Sequence, residues 1–389
     1  MKKLVIVLPG TLPVPTTKGG AVESLVFNLV KQNEISKRFL IVIFSPFEKN
    51  AFLLSKNYNY SVFNFIKSSQ FEVFIYKIFR KLFNSILPNE IFHFKVPFKI
   101  RKLLYDEIII ENRPDLLDFY FKVAKKQLIL HAHNDTFNTI SYRKNSLNLS
   151  TKLVLSVSKY ISNKAAIVFN KEKIKVLYNC SSYYYDEVTK IKSAAEIRSR
   201  FKINQSEKII LFSGRLIKEK GVLELIQALN LVPYNFKIFI AGSSWFGTNK
   251  STDYIKLLSK ASTPIKDKII FLGYVNNVDL QKYYYSADLV IVPSIWEEPG
   301  ALVVTEAISL GIPLIISDSG GIVEYIHSSG AIIVPRENNF VISLSSAISN
   351  FITDDEKSRK MRLINLTQSY KYKPDLYFEN FSIFINTYE

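Results

Sequence analysis

Short apolar runs alternate along this chain with longer segments in which apolar residues recur at helical spacing. Uninterrupted runs of this kind are typical of strands that are buried on both faces of a parallel sheet. Apolar runs form the centre of the segments predicted as strands, which lie in the first half at residues 4–8, 39–45, 106–114, 128–135, 153–157 and 173–179, and in the second half at residues 208–216, 236–242, 269–273, 289–292, 314–316 and 331–334. Strands that alternate with helices predict an α/β fold with a doubly wound parallel sheet in each half.

The length and a change in polarity predict two domains. A chain of 389 residues exceeds what one hydrophobic core usually supports. A polar, charged, tyrosine-rich stretch from Ser181 to Lys202 separates the two series of runs and predicts a linker leading into a short helix. We expect an N-terminal domain at 1–180, a linker at 181–204, a C-terminal domain at 205–370 and a segment at 371–389 that returns to the N-terminal domain.

The amino-acid composition limits the cellular compartments and the binding partners that we expect. The single cysteine, Cys180, excludes an internal disulfide and favours a reducing compartment. The first apolar run is short and ends at Pro9-Gly10 without a cleavage region, so we expect a buried strand there and no signal peptide. No apolar run approaches the length of a membrane span. The formal charge of +17 favours nucleic acid or an anionic membrane as a partner.

Glycines precede two of the predicted helices. Gly19 and Gly20 would let the backbone approach a ligand closely, although a loop that merely needs positive φ is the alternative. Gly221 opens a second helix and follows Arg215 and Lys220. Two cations beside a helix start suit a diphosphate leaving group, whose charge grows as the glycosidic bond breaks. Ordinary surface cations are the alternative.

A second candidate site lies in residues 291–311, which predict a strand end, a tight loop and a helix. Pro299 suits the first helical position, and Gly311 suits a left-handed C-terminal cap. Glu298 and Glu306 have seven residues between them, so on one helix they share roughly one face. Amides at the helix start would bind phosphate, while the carboxylates would bind sugar hydroxyls. The alternative is a capping acid at Glu298 and a solvated Glu306.

Residues 58–102 combine apolar side chains at helical spacing with an excess of basic ones. The apolar positions are Phe71, Phe74, Ile75, Ile78, Leu82, Phe83 and Ile86. The basic positions are Lys67, Lys77, Arg80, Lys81, Lys95, Lys99, Arg101 and Lys102. This pattern is typical of a helix that lies on an anionic membrane or holds a lipid-linked acceptor. The alternative is an ordinary helix with its apolar stripe in the core, and a half-buried helix could do both.

Two histidines, His131 and His133, alternate at the end of a predicted strand. Alternate residues of a strand point to the same side, and the carboxyl ends of parallel strands are where α/β sheets bind ligands. We therefore favour a hydrogen-bonding role. A metal pair is the alternative, but no third ligand follows at a diagnostic spacing, so we expect no metal.

Further motifs extend these candidates into an ordered series. The series runs Gly214-Arg215, Lys220-Gly221, Gly273-Tyr274-Val275, Pro293-Ser294, Glu298, Glu306, Gly311, Pro313, Ser319-Gly320-Gly321 and Glu324. In this order it resembles the family-4 retaining glycosyltransferases of the GT-B fold, in the group 1 glycosyltransferase family. The Gly19-Gly20 loop and residues 156–158 and 175–179 are similar to that family too. The resemblance implies two Rossmann-like domains facing a cleft, with a nucleotide-sugar donor held mainly by the C-terminal domain and an acceptor by the N-terminal one.

The resemblance also implies a role for each candidate residue. Arg215 and Lys220 would bind the donor diphosphate, Glu306 the ribose hydroxyls and Glu298 the donor sugar. His131 is favoured over His133 as the family's histidine near the donor sugar, because we expect it to follow the strand directly. Backbone or side-chain contacts to the donor would come from Gly19, Gly20, Gly214, Tyr274, Val275, Gly300, Ala301, Leu302 and Val303, with Tyr274 and Val275 by the base.

Two positions depart from the family pattern. Gly300-Ala301 follows Glu298-Pro299, where the family usually has phenylalanine and then glycine, and this departure affects the fit of the donor sugar. Cys180 follows Asn179, where glycine is more usual, and this should change only a turn.

The implied reaction is transfer of a hexose from a nucleotide-diphosphate sugar, expected to be a UDP-sugar, to a saccharide or lipid-linked acceptor. Retention would arise by front-face attack, with the donor phosphate taking the acceptor's proton. No Asp-x-Asp motif occurs, so we expect a metal-independent enzyme without a cofactor. We expect it in the cytoplasm at the inner membrane face, building capsule, exopolysaccharide or lipopolysaccharide. The alternatives are a sugar phosphorylase or disaccharide synthase on the same fold and, more distantly, a basic nucleic-acid-binding protein, although no helix-turn-helix, RNA-recognition or zinc pattern is present.

Overall fold

A computed structural model describes residues 1–82, 87–243, 252–326 and 330–387 of the protein. The chain divides into two compact units, Met1–Tyr178 with Tyr377–Glu389, and Asn179–Leu376. The stretch 181–204, predicted as a linker, belongs to the second unit and contains a helix of 14 residues. The predicted helix is therefore present, but the stretch is part of the second unit and not a separate linker, because it buries Ser193 and Ile197 on one side of that helix.

The first unit contains a seven-stranded sheet, parallel throughout. Its strands are β1 (Lys2–Val7), β2 (Phe39–Pro46), β3 (Ser61–Ile66), β4 (Glu107–Glu111), β5 (Leu128–Ala132), β6 (Thr151–Ser156) and β7 (Ile174–Val176). Their order in the sheet is β3-β2-β1-β4-β5-β6-β7. The runs that predicted strands all form them, and the edge strand β3 is an addition. It was missed because its aromatic residues fell inside the segment assigned to helix.

The helices of this unit pack around the sheet. They are α1 (Ala21–Ser36), α2 (Lys49–Ser55), α3 (Gln70–Leu82), α4 (Ile91–Ile100), α5 (Leu117–Ala124), α6 (Lys144–Ser150) and α7 (Lys159–Ala165). The final helix, α15 (Pro374–Thr387), contributes Phe378 and Phe381, whose rings lie 6.0 and 6.3 Å from that of Phe39. The apolar strand residues on both sheet faces are thereby removed from water.

The second unit contains a six-stranded parallel sheet in the order β10-β9-β8-β11-β12-β13. These strands are β8 (Lys208–Ser213), β9 (Phe236–Ala241), β10 (Ile269–Gly273), β11 (Leu289–Val292), β12 (Leu314–Ser317) and β13 (Ala331–Val334). The helices are α8 (Glu187–Arg200), α9 (Val222–Asn230), α10 (Asp253–Ala261), α11 (Asn277–Ser286), α12 (Leu302–Ser309), α13 (Phe340–Thr353) and α14 (Asp355–Gln368).

Strand order reverses once in each sheet, between β1 and β4 in the first unit and between β8 and β11 in the second. The connections leave the sheet on opposite sides at such a point, which opens a crevice at the carboxyl ends of the two strands. The predicted site residues follow these strands. The fold therefore provides one crevice in each unit, and both collect polar side chains.

Helix α3 does not bury its apolar stripe in the core, which was the alternative interpretation of this segment. Phe71, Phe74, Ile78 and Leu82 are 72%, 60%, 45% and 76% exposed, and Tyr76 is the buried residue of the helix. The predicted positions Phe83 and Ile86 lie outside the described residues. In the described part of the chain, no helix combines the length and the apolar character needed to cross a membrane. The exposed apolar face of α3 therefore needs another explanation.

Candidate functional site

An ion pair lies at the strand-order reversal of the second unit. Lys220 follows β8, Glu298 follows β11, and Lys220 Nζ lies 2.6 Å from Glu298 Oε1. Ser294 Oγ also donates to Glu298 Oε1, at 2.6 Å. Burial acts to raise the pKa of Glu298, but the ammonium and these hydrogen bonds outweigh it and hold that pKa below its usual value. Glu298 is therefore a buried carboxylate that stays ionised.

Glycine geometry brings the two loops of this pair together. Gly221 has φ +66°, and a Cβ there would lie 1.9 Å from the carbonyl oxygen of Pro293. Because only glycine permits that approach, the Ile295 N–H can donate to the Glu219 carbonyl at 3.0 Å. The loop that follows β8 is thus joined directly to the loop that follows β11.

A third loop fixes the backbone of Glu298. The Glu298 N–H donates to Ser319 Oγ at 3.0 Å, and the Gly321 N–H donates to the Glu298 carbonyl at 2.6 Å. Gly320, with φ +50°, lies so close that a Cβ would be 2.5 Å from that same carbonyl oxygen. The Ser319-Gly320-Gly321 motif therefore holds the carboxylate-bearing loop in position.

The predicted helix start is wrong by three residues. Helix α12 begins at Leu302 after Ala301, whereas Pro299 was expected at the first helical position. Glu298 precedes the helix, so it does not share a helix face with Glu306, and it does not cap the helix either. Pro299 lies in the loop before the helix, next to Glu298, whose backbone is held by Ser319 and Gly321. The left-handed cap was predicted correctly, because Gly311 has φ +67°.

Glu306 lies on α12 and is mostly buried, contrary to the alternative of a solvated residue. The Tyr284 hydroxyl donates to its Oε2 at 2.7 Å. Burial raises the pKa of Glu306 to about 7, and this hydrogen bond only partly offsets it. The Tyr183 ring packs against that of Tyr284 at an interplanar angle of 57°, with ring centroids 5.5 Å apart. Two hydroxyl-bearing rings therefore surround a carboxyl group that titrates near neutral pH.

The departure at Gly300 has a steric cause. A Cβ at Gly300 would lie 2.9 Å from the Tyr325 hydroxyl oxygen and 3.2 Å from its ring. Asn179 fills the other side, donating from Nδ2 to the Gly300 carbonyl at 3.1 Å and from its N–H to the Tyr325 hydroxyl at 3.1 Å. The Tyr325 ring stacks on Tyr372, with centroids 5.9 Å apart. Tyrosine and asparagine thus occupy the space that a larger side chain at position 300 would need.

The other predicted donor-binding residues of this unit lie at strand ends or at the start of α12. Arg215 and Gly214 follow β8, in the same loop as Lys220, and the Gly214 N–H donates to the Ala241 carbonyl at 3.0 Å. Tyr274 and Val275 follow β10 directly. Gly300 and Ala301 precede α12, while Leu302 and Val303 are its first two residues. Their contacts with a donor stay predictions.

The first unit contains its own polar cluster beside β1. Gly19 and Gly20 have φ +77° and +105°, and Gly20 precedes α1. Glu23, in the first turn of α1, is 3% exposed. Burial raises the pKa of Glu23 to about 7, and the charge of Glu111 adds to that rise. Both glycines therefore adopt the conformation that a tight strand-to-helix loop needs.

Glu111, at the end of β4, joins the two histidines. His133 Nε2 lies 2.9 Å and His131 Nδ1 3.1 Å from Glu111 Oε2, and the imidazole centroids are 4.0 Å apart. The side chains do lie on one side, as predicted. The stated reason for preferring His131 was wrong, because His131 lies within β5 and His133 is the residue that follows Ala132 at its end.

This cluster also supplies the third ligand that the sequence lacked. The candidate ligand atoms of Glu111, His131 and His133 all lie within 4.8 Å of one another. Burial acts to raise the pKa of Glu111, but the two imidazoles lower it to about 2. Burial and the neighbouring imidazole lower the pKa of His133 to about 4, although Glu111 opposes this. At neutral pH the cluster therefore has an ionised carboxylate beside a neutral His133.

The hydrogen bonds assign the tautomers. A carboxylate only accepts, so His131 Nδ1 and His133 Nε2 must carry the protons that bridge to Glu111. In a neutral imidazole of His131 the other nitrogen, Nε2, then carries the lone pair, and this atom is buried without a hydrogen-bond partner in the described structure. A metal on Nδ1 would instead place a proton on Nε2 with no acceptor, contrary to the usual outer shell of a metal site. The arrangement favours hydrogen bonding over metal binding.

Several residues of these sites were not recognised from the sequence. Glu111 carried the same signal as the histidines, since it ends a buried run. Ser294 and Ser319 belonged to the motif series without a role of their own. Tyr284 and Tyr325 gave no signal, because tyrosine is frequent throughout this chain.

One protein family matches most of the second unit. Residues 193–364 match the model of glycosyl transferases group 1. Over this stretch the chain is similar to the group 1 glycosyl transferases. The whole chain is 26% identical to the putative glycosyltransferase YtcC of Bacillus subtilis, over 92% of this chain and 85% of YtcC. It is 23% identical to the lipopolysaccharide 1,2-N-acetylglucosaminetransferase of Salmonella typhimurium, over 84% of this chain and 83% of that protein.

Solved structures share the fold of this chain. Anabaena HepE, crystallised with UDP and glucose, superposes with a TM-score of 0.77 at 19% sequence identity. The match covers 99% of each chain. The fold is therefore the GT-B class, as predicted, with two Rossmann-like parallel-sheet units.

Proposed function

We propose that this protein is a retaining, metal-independent glycosyltransferase that moves a hexose from a nucleotide-diphosphate sugar to a saccharide or lipid-linked acceptor. The product would be a cell-surface polysaccharide such as capsule, exopolysaccharide or lipopolysaccharide. The Lys220–Glu298 pair at the reversal of β8 and β11 carries the proposal. It offers an ionised carboxylate and a cation side by side, which suits a sugar joined to a diphosphate.

Each part of the donor has a proposed partner. Arg215 and Lys220 bind the diphosphate, and Lys220 can do so while paired, because an ammonium has three N–H donors and Glu298 engages one oxygen. Glu298 binds the sugar hydroxyls, and Glu306 binds the ribose. Gly20 approaches the diphosphate and His131 the donor sugar. UDP is the proposed nucleotide, since HepE was crystallised with it.

Donor hydrolysis tests the donor site. Arg215→Ala and Glu306→Ala should abolish both the hydrolysis of the preferred sugar nucleotide and its transfer, while circular dichroism shows both variants folded. Lys218→Ala is the matched control, because Lys218 is an exposed cation in the same loop. Undiminished turnover in either site variant would refute the assignment.

Two further assays test the mechanism. The anomeric coupling constant of the product, measured by proton NMR, should match that of the donor if transfer retains configuration. Chelation with EDTA should leave the rate unchanged if no metal takes part. An inverted anomer, or a rate that EDTA abolishes and Mg²⁺ restores, would contradict the proposed chemistry. Release of a free disaccharide would favour the synthase alternative.

Helix α3 supports a proposed location at an anionic membrane. Its apolar side chains Phe71, Phe74 and Leu82 are exposed, and Lys77, Arg80 and Lys81 lie on the same helix. An exposed apolar face next to basic residues is what an interfacial helix presents to lipid. A lipid-linked acceptor would be met at that surface.

Vesicle flotation tests this location. Lys77→Glu/Arg80→Glu/Lys81→Glu should release the protein from vesicles of phosphatidylglycerol and phosphatidylcholine. The triple variant Lys357→Glu/Arg359→Glu/Lys360→Glu changes the net charge equally on exposed residues of α14 and should still bind. Equal release of both variants would attribute binding to net charge alone and would remove the role of α3.

A further inference from the structure

A cavity in the first unit lies beneath helix α3. Its volume is about 540 Å³, within the roughly 300–1,000 Å³ of typical ligand sites. The wall is mainly apolar and includes Phe47, Ile66, Tyr76 and Phe92. Gly10, which follows β1, lines the cavity as well. The cavity thus extends from the helix with the exposed apolar face to the carboxyl end of a central strand.

Two cations line this apolar cavity. They are Lys67, which follows β3, and Lys77 on α3. Neither forms an ion pair with a described residue. One acid, Glu90, also lines the cavity, but it pairs with Arg113 at 2.8 Å, and Glu72 on α3 pairs with Lys95 at 2.7 Å. The Lys67 ammonium lies over the ring of Phe47, 5.4 Å from its centroid. The cavity therefore has uncompensated positive charge against an apolar wall.

We propose that this cavity binds an isoprenoid pyrophosphate group and so holds the lipid-linked form of the acceptor. Lys67 and Lys77 bind the pyrophosphate, and the apolar wall takes the first isoprene units of a chain that continues along the exposed face of α3. A free saccharide has no charge for these cations and no apolar part for this wall. This inference deepens the proposed function and rests on it, because the bound lipid is an acceptor only if the protein transfers a sugar.

The proposal predicts a selectivity that binding alone can measure. Farnesyl pyrophosphate, a soluble probe, should bind the purified protein in isothermal titration calorimetry. Inorganic pyrophosphate should bind far more weakly, because it buries no apolar surface. Lys67→Gln/Lys77→Gln should weaken farnesyl pyrophosphate at least about tenfold, since hydrogen bonds to charged groups contribute more than neutral ones.

Matched variants separate the cavity from general charge and from folding. Lys81→Gln removes a cation from α3 that does not line the cavity, so it should leave the affinity unchanged. Val73→Trp fills the cavity from α3 and should abolish binding while circular dichroism stays native. Equal weakening in Lys81→Gln, unchanged affinity in Lys67→Gln/Lys77→Gln, or equal affinity for inorganic pyrophosphate would each overturn the proposal.

Failure of this inference can be told apart from failure of the proposed function. Lys67→Gln/Lys77→Gln should retain UDP-sugar hydrolysis, because the proposed donor residues lie elsewhere in the chain. A protein that hydrolyses UDP-sugars but ignores farnesyl pyrophosphate would refute only the cavity assignment. A protein that binds farnesyl pyrophosphate but no sugar nucleotide would refute only the donor assignment.

Discussion

Removing the charge of Lys220 tests the ion pair that carries the proposed donor site. Lys220→Met keeps the length of the side chain but leaves Glu298 without its cation. Glu298 is 3% exposed and Lys220 21%, so water cannot replace the lost partner fully. Breaking a buried pair in this way costs about 3–5 kcal/mol, because one charge remains buried and uncompensated. Ser294 still donates to Glu298, which places the expected cost at about 3 kcal/mol.

The cost should appear as a lower unfolding temperature of the second unit. At about 2–4 °C per kcal/mol for a domain of this size, the midpoint should fall by about 6–12 °C in differential scanning calorimetry. Glu298→Gln in the same chain should restore most of the loss, since it removes the buried charge. Lys218→Met, the exposed neighbour, should change the midpoint by about 1 °C or less.

The pH dependence provides an independent check of the sign. In the native protein the pKa of Glu298 is lowered, so the pair stabilises the fold above the unfolded pKa of about 4.3. That stability is lost as pH falls through the lower folded pKa. In Lys220→Met burial should raise the pKa instead, and the variant should lose stability as pH rises. A gap between the two proteins that is no wider at about pH 8 than at about pH 4 would refute the reasoning.

Three further predictions concern the residues around the two crevices. Glu306→Gln should stabilise the fold at pH 8 by about 3 kcal/mol and not at pH 4. The folded pKa of Glu306 is raised to about 7, so the native protein loses stability as pH rises from about 4.5 to about 7. Equal unfolding midpoints of the variant and the native protein at both pH values in calorimetry would contradict this. Gly300→Phe should cost about 1–3 kcal/mol in urea unfolding, because Tyr325 occupies the space, and Gly300→Phe/Tyr325→Ala should recover part of it. Glu111→Gln should shift the ¹⁵N imidazole signals of one histidine to the other tautomer and lower kcat, since the amide replaces one carboxylate oxygen with an N–H donor that needs an acceptor nitrogen; unchanged spectra would refute the assignment of His131 Nε2 as a lone pair.

The sheets could be predicted because buried parallel strands leave a local signal. Runs such as residues 4–8 and 289–292 are apolar at every position, as expected for strands buried on both faces of a sheet. Edge strand β3 lacked it, since Val62 is 56% exposed and the buried residues of this strand are its two ends, Ser61 and Ile66. Helix α12 began later than Pro299 suggested because the loop around Glu298 is held by Ser319 and Gly321, which are distant in sequence.

The sequence predicted which residues belong to the sites better than it predicted which side chains contact each other. Glu298 and Lys220 were both selected from the sequence, yet their pairing depends on the approach of Gly221 to Pro293, which no local pattern reveals. The same holds for Glu111, whose neighbours lie 20 and 22 residues further along the chain. The resemblance to a family supplied order and roles, whereas the structure supplied distances and partners. Helix α3 differs from these cases. Its basic residues already indicated a surface helix from the sequence, and its apolar side chains are exposed in the structure.

The contact between Gly221 and Pro293 has a consequence for protein engineering. Donor preference is often altered by exchanging single loops between related enzymes, as if each were an independent module. Here the segments at 214–221 and 293–298 interlock through a glycine that has no room for a Cβ, so each is shaped for the other. A chimera that imports one segment alone should misfit at this contact, while a chimera that imports both together should keep the pairing. Their natural unit of exchange is therefore the pair of loops.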